Sequence, residues 1–400
     1  CGQVDGGAEQ TNSLGVEFMT GPTVFAIRGR LLFGTSIEQG TLVVDGDRIE
    51  AIQRGLVRDG NLPHVIHDVD LVSPGLIDLQ VNGADGVEAD DDPRHIEHIS
   101  RWSVASGVTA WLPTVVTSAA DFYPSVFEGW SQVDTTIGAK PLGFHLEGPF
   151  LAPARKGAHR LDLIEAAPDS LFDLWLEQQS IKLVTLAPDR PGAIGHIHRL
   201  REHGIVVSLG HTDSTYDAFE SGVDAGATMA THLFNAMSPM HHRNPGAMIA
   251  TMTDDRVTAG LIPDAVHSHP AAVRLAMRAK GPDRIAIVSD MMSATGLPSG
   301  TFQIGRRDVT VAGDSVTLPD GTLAGSVLTM DRAVQNLVEW AGVSTAEALH
   351  MCSCVPANVL GDASRGRLIA GARSDLTIWS SDLQVQQTIV GGTVRFDQRA

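Results

Sequence analysis

The chain has 400 residues, 43% of them hydrophobic, and a net charge of −18 from 29 basic and 47 acidic side chains. That balance disfavours nucleic acid or an anionic membrane surface as a partner, because both require a positive face. It leaves a small anionic ligand open, since a local arginine or histidine can bind phosphate inside an acidic protein.

Residues 1–21 read as a flexible polar leader that begins on Cys1. A cysteine start fits a trimmed or shifted beginning better than a lipoprotein, because no signal segment accompanies it. From Val24 the pattern is short strands, VFAIRGRLLF then GTLVVDGDRIEAI, with a turn at Asp45-Gly46-Asp47. Similar strands with Gly-rich turns return in GRLIAGARSDLTIWSSD and QQTIVGGTVRF, so both chain ends are expected to form one small β-sandwich domain. Between them eight strand candidates run in order: LVSPGLIDLQV, VTAWLPTVV, PLGFHLE, IKLVTLAP, GIVVSLGH, ATMATHLF, TAGLIPD and RIAIVSD. Helical patterns such as DPRHIEHISRWSVASG and HPAAVRLAMRAKG separate them. Eight alternations predict an α/β chain with a (β/α)8 TIM-like barrel. The expected divisions are the leader at 1–21, the small domain at 22–73 plus 365–400, and the barrel at 74–364. After the eighth strand, GTFQIGRRDVTVAGDSVTLPDGTLAG reads as an inserted hairpin set. Asp90-Asp91-Asp92 reads as a solvated acidic run, and Cys352 and Cys354 as buried small apolar residues. Three cysteines, two of them nearly adjacent, make no disulfide framework, so a reducing, cytoplasmic compartment is expected. No apolar stretch reaches the ~20 residues of a membrane helix.

Four of the apolar runs end on a residue that can do chemistry: Glu147, His211, His232 and Asp290. In a parallel barrel the C-terminal strand ends converge on one face, where active sites form. One carboxylate and two imidazoles suit Zn²⁺, Fe²⁺ or Mn²⁺ and leave a coordination position open. Asp290 is then placed to act as a general base. Singly, a histidine after a strand is more often a hydrogen-bonded structural residue, and Asp290 has a cap or turn role as its lesser reading; together they point to a hydrolytic metal site.

PGLIDLQVNG, GFHLEGPFLAPARKGAH, SLGHTDSTYDAF, THLFNAMSPMHHRNPG and VSDMMSATG resemble the N-acetylglucosamine-6-phosphate deacetylases of the amidohydrolase superfamily, in order from about Val24 to Phe396. The resemblance implies metal ligation by Glu147, His211 and His232, acid/base catalysis by Asp290, and polarisation of the acetyl carbonyl by His159. It implies substrate contacts at His267, Asn235 and Ala236 and at the loop Leu323-Ala324-Gly325-Ser326. It further implies a phosphate-binding Arg243, assisted by His242, that can act from a neighbouring subunit. The implied reaction is deacetylation of N-acetylglucosamine 6-phosphate in amino-sugar catabolism and cell-wall recycling, with N-acetylgalactosamine 6-phosphate as the alternative. A homodimer is implied as well, with a higher homo-oligomer as the alternative. Many superfamily members carry His-x-His on the first strand, where this chain has Gln80-Val81-Asn82. Neutral amides are poor ligands. One divalent ion per subunit is therefore expected, zinc first, with iron, manganese or cobalt as the other candidates. Gln80 and Asn82 are left to hydrogen-bond water or substrate.

Overall fold

The computed structural model describes residues 24–63, 65–304 and 307–399. The expected leader lies outside the described residues. Eight parallel strands form the barrel: Leu76–Val81, Val108–Val116, Phe144–Glu147, Ile181–Leu186, Val206–Leu209, Met229–Ala230, Thr258–Leu261 and Ile285–Ile287. Their side chains are buried almost throughout, as expected for parallel strands covered on both faces. Each pairs with the next in chain order. The ring closes where Asp290 N donates to Gln80 O (3.0 Å) and Asn82 N to Met291 O (2.8 Å). Closure therefore draws Asp290, three residues past the last strand, onto the end of the first.

Two strands differ from expectation. LVSPGLIDLQV is two elements, not one. Ile66–Pro74 belongs to the small domain, and Leu76 opens the barrel. Gly75 is the joint: a Cβ there would lie 2.1 Å from Thr109 Oγ1, so only glycine lets the chain pass from one sheet to the other. ATMATHLF keeps only Met229–Ala230 as strand, because the backbone turns left-handed at His232 (φ 29°).

Helices cover the barrel. Pro93–Ser103 is capped by Asp92, which accepts from Arg94 N at 2.8 Å. Asp92 is thus a structural cap, not merely part of a solvated run. The last helix, Thr345–Val359, opens with a capping box between Ser344 and Glu347. Both chain ends meet in one continuous seven-stranded sheet. Its order runs Thr393–Asp397, Val385–Val390, Leu376–Trp379, Ile66–Pro74, Val24–Phe33, Ser36–Asp45 and Arg48–Arg54. The turn at Asp45-Gly46-Asp47 forms as the sequence suggests, with Asp45 paired to Arg48 and Gly46 at φ 54°. Phe25, Ile27, Leu42, Val44, Leu376 and Ile378 contribute to its separate core.

The insertion is a four-stranded antiparallel sheet: Gly300–Ile304, Arg307–Ala312, Ser315–Thr317 and Leu323–Ser326. It has its own small core, including Val309, Val311, Val316 and Met292. Ser326 N donates to Asp290 O (2.9 Å), which pins this sheet over the C-terminal rim of the barrel. Among the described residues, no helix is long and apolar enough to cross a membrane.

Candidate active site

Glu147 ends the third barrel strand, His211 follows the fifth and His232 the sixth. All three are buried, and their ligand atoms lie within 4.8 Å of one another. Glu147 Oε1 is 3.1 Å from His232 Nε2 and 3.3 Å from His211 Nε2. The two Nε2 atoms are 3.1 Å apart. His211 Nδ1 donates to the Arg155 carbonyl at 2.8 Å, which turns the unprotonated Nε2 inward. Two inward nitrogens at this separation repel unless a cation or proton lies between them. The donor set therefore fits a divalent ion. Burial alone would push the Glu147 carboxyl up, but bonds to His211 and His232 outweigh it and hold the group well below the usual carboxylate range.

Asp290 faces this cluster. Its Oδ1 accepts from Asn82 Nδ2 (2.7 Å) and from Gln80 Nε2 (3.0 Å), and Gln80 Nε2 also donates to Glu147 Oε1 (3.1 Å). Burial, then the charge of Glu147, pushes the Asp290 carboxyl up to about 6, against the opposing pull of His232. His211 (φ 47°), His232 (φ 29°), Asp290 (φ 50°) and Ala236 (φ 49°) all adopt left-handed backbone. Such conformations cost on the order of 1–3 kcal/mol each for non-glycine residues and cluster at functional sites.

His159 is buried beside the cluster. Its Nδ1 is 2.8 Å from Thr117 Oγ1, and its Nε2 3.8 Å from Glu147 Oε2. The loop carrying it passes close over His211: a Cβ on Gly157 (φ 54°) would lie 3.1 Å from His211 Cε1. His267 Nδ1 is held by Asp264 Oδ2 at 2.7 Å. His159 and His267, with Glu147, His211, His232, Asp290, Asn82, Asn235 and Ala236, line one cavity of about 420 Å³. Its roof is apolar and comes from the inserted sheet: Val309, Leu318, Leu323 and Ala324, with Met292 below them.

Two residues expected at the substrate lie behind this cavity's wall, and the pair expected to be able to act from a neighbouring subunit lies outside it. Gln80 is 2% exposed and does not line the cavity, because its amide is spent on Glu147 and Asp290. Ser326 is fully buried behind the wall and bonds the Ser289 carbonyl at 2.6 Å. Both position Asp290 rather than face the cavity. His242 and Arg243 sit on an exposed loop outside this chain's cavity, with Arg243 Nη1 3.0 Å from His242 Nε2. Sequence reasoning missed Thr117, Arg155 and Asp264. Asp264 had a readable signal, an acid three residues before His267 in PDAVHSHP. Thr117 and Arg155 had none, because Thr117 is brought in by the barrel register and Arg155 acts through its carbonyl.

The amidohydrolase family model matches residues 71–395. The chain belongs to the amidohydrolase family. Among its relatives, the N-acetylglucosamine-6-phosphate deacetylase of Lysinibacillus sphaericus is 36% identical, covering 80% of this chain and 84% of that one. The N-acetylgalactosamine-6-phosphate deacetylase of Escherichia coli O157:H7 is 37% identical, covering 81% and 88%. A variant of the N-acetyl-D-glucosamine-6-phosphate deacetylase from Mycobacterium smegmatis, solved with N-acetyl-D-glucosamine-6-phosphate, superposes with a TM-score of 0.86. It is 30% identical and the match covers 94% of this chain and 100% of that one. As an amidohydrolase the chain is a metal-dependent hydrolase, and Glu147, His211 and His232 form the triad that could hold the ion. The expected barrel, the sheet from both chain ends and the resemblance to the deacetylases are all borne out.

Proposed function

We propose that this amidohydrolase removes the acetyl group of N-acetylglucosamine 6-phosphate, giving acetate and glucosamine 6-phosphate. The observation that carries the reading is a buried carboxylate, Asp290, facing the Glu147–His211–His232 triad in one cavity, in a chain whose relatives include deacetylases of phosphorylated amino sugars. A divalent ion on the triad, zinc by our reading, would polarise the amide carbonyl and acidify water. Asp290 takes the proton of the attacking water, while the Gln80 and Asn82 amides fix its Oδ1. His159, steadied by Thr117, presents Nε2 to the oxygen that gains negative charge. Protonated Asp290 then donates to the departing amine, so that the sugar leaves as a neutral amine. Asn235, Ala236 and His267 hold the sugar, the last oriented by Asp264. Because the Gln80 and Asn82 amides are engaged with carboxylates, we assign one ion per subunit. The exposed His242–Arg243 loop is suited to gripping the phosphate in a partner's cavity, which makes a homodimer the working unit. Cys352 and Cys354 are both unpaired, which favours the cytoplasm.

The 37% identity to an N-acetylgalactosamine-6-phosphate deacetylase supports the 4-epimer as a second substrate. Acetate release from both phosphorylated epimers and from unphosphorylated N-acetylglucosamine tests the assignment, with metal content measured on the same sample. We expect the gluco 6-phosphate to give the highest kcat/KM and loss of the phosphate to collapse it. Equal turnover of the unphosphorylated sugar would refute the reading.

A further inference from the structure

At the opposite end of the barrel lies a cluster that the hydrolytic site does not use. Cys354, on the helix Thr345–Val359, is not the buried apolar filler its sequence context suggests. It is half-buried, and Arg367 Nη2 and Asn358 Nδ2 each stand 3.7 Å from its Sγ. Gly366 (φ 72°) makes this approach possible. A Cβ there would lie 2.5 Å from Ser353 O and 2.9 Å from Cys354 Cα, so glycine lets the loop rest on the helix and carry Arg367 to the sulfur. One turn earlier on the same helix face, His350 is 8% exposed, and its Nε2 is 2.9 Å from Asp283 Oδ1. Cys354 first, and Asp283 after it, raise the His350 imidazole above its ordinary range against the effect of burial, and its Nδ1 is buried with no hydrogen-bond partner among the described residues. Cys352, two residues away, is fully buried in the barrel core.

We propose that Cys354, flanked by Arg367 and by the His350–Asp283 pair, is a modification site: a thiol activated towards electrophiles and hydroperoxides. Low-pKa thiols arise beside Arg, Lys or protonated His, and the thiolate is the nucleophile. Burial works against ionisation here, but His350 and Arg367 outweigh it and draw the thiol below its usual range. The groups facing it are His350, Arg367 and the neutral Asn358, with Asp283 behind the imidazole. Towards a hydroperoxide, the thiolate attacks the terminal oxygen, and the S–O bond forms as the O–O bond breaks. Sulfur gives up two electrons, and the departing oxyanion takes a proton from the His350 imidazolium, leaving as water or an alcohol. The product is a sulfenic acid. Cys352 cannot resolve it, because residues two apart on a helix point to different faces. Asn358 and Asp283 also line a cavity of about 660 Å³ whose walls carry Arg201 and Arg284, so anionic reagents are favoured at this end.

The test is alkylation of the full, metal-loaded chain by limiting iodoacetamide between pH 5.5 and 9, read by peptide mass mapping. Cys352 is the internal reference, and a cysteine in an unstructured peptide is the standard. At pH 7 Cys354 should react at least about five-fold faster than the peptide, since a free thiol near 8.5 is only a few per cent thiolate there. Arg367→Gln and His350→Gln should each move its profile towards the peptide, and iodoacetate should gain on iodoacetamide relative to the peptide. Peroxide followed by dimedone should label the Cys354 peptide. A wild-type profile that superimposes on the standard would overturn the proposal. So would a profile that neither substitution moves, or the absence of a dimedone adduct.

Discussion

Replacing Asp290 with asparagine separates what this carboxylate does for catalysis from what it costs the fold. Asparagine keeps an oxygen for the Gln80 and Asn82 amides, now at 3.0 and 2.7 Å, so the geometry should survive. The base is lost. A positioned general base contributes about 10²–10⁴-fold, so kcat/KM should fall by that factor, about 2.7 to 5.4 kcal/mol of transition-state stabilisation. The metal-free protein should become more stable at the same time. Burial first, then Glu147, raises the Asp290 carboxyl from 3.8 to about 6. A carboxyl raised on folding adds stability below its unfolded value and loses it as pH climbs through the folded one. By pH 8 the ionised form therefore costs the fold about 3 kcal/mol, and at pH 5 roughly half that. Asparagine carries no such cost. At ~2.1 cal/mol/K per residue over 400 residues, about 3 kcal/mol corresponds to a Tm gain of about 3 to 4 °C. Thermal unfolding of both proteins in chelator at pH 8 and pH 5, beside acetate release with metal restored, measures both halves. The reasoning fails if Asp290→Asn keeps most of its activity with metal bound. It fails equally if the variant gains no stability at pH 8, or gains as much at pH 5.

Other expectations follow from the same contacts. Glu147→Gln should cut metal content well below one equivalent by elemental analysis and lower activity in step, because an amide is a poor ligand beside two imidazoles. Asp264→Asn removes the charged partner 2.7 Å from His267 Nδ1, and kcat/KM should fall by about 10- to 100-fold while metal content holds. His145 is buried inside the barrel against Thr185 Oγ1 (2.8 Å), and burial, above all, brings its imidazole down to about 4. A histidine depressed on folding stabilises fully above its unfolded value and loses that contribution as pH falls towards the folded one. From pH 7 to pH 4 the stability advantage of wild type over His145→Gln should therefore shrink by about 3 kcal/mol, read from urea midpoints.

Much of this protein was legible one residue at a time. Apolar runs of strand length, each stopped by Glu147, His211, His232 or Asp290, are local signals, because a strand buried on both faces must be apolar until it reaches the rim. The barrel and the triad that could hold its ion follow from that pattern. Contacts between distant segments were not legible. Closure of the first strand on the last makes Gln80 a clamp on two carboxylates, although its amide reads equally well as a substrate contact. Ser326 is the last residue of the roof strand Leu323–Ser326 yet turns inward to hold the backbone at Asp290. Gly75 and Gly366 look like ordinary turn glycines until the segments they touch, Thr109 and the helix at Cys354, are in place. The sequence by itself determined which chemistry is present, because side-chain type and strand periodicity are local properties. Only the tertiary structure decided which groups serve the cavity, which serve their neighbours and which, like Cys354, form a separate site, because those roles depend on distances across the barrel that no sequence spacing encodes.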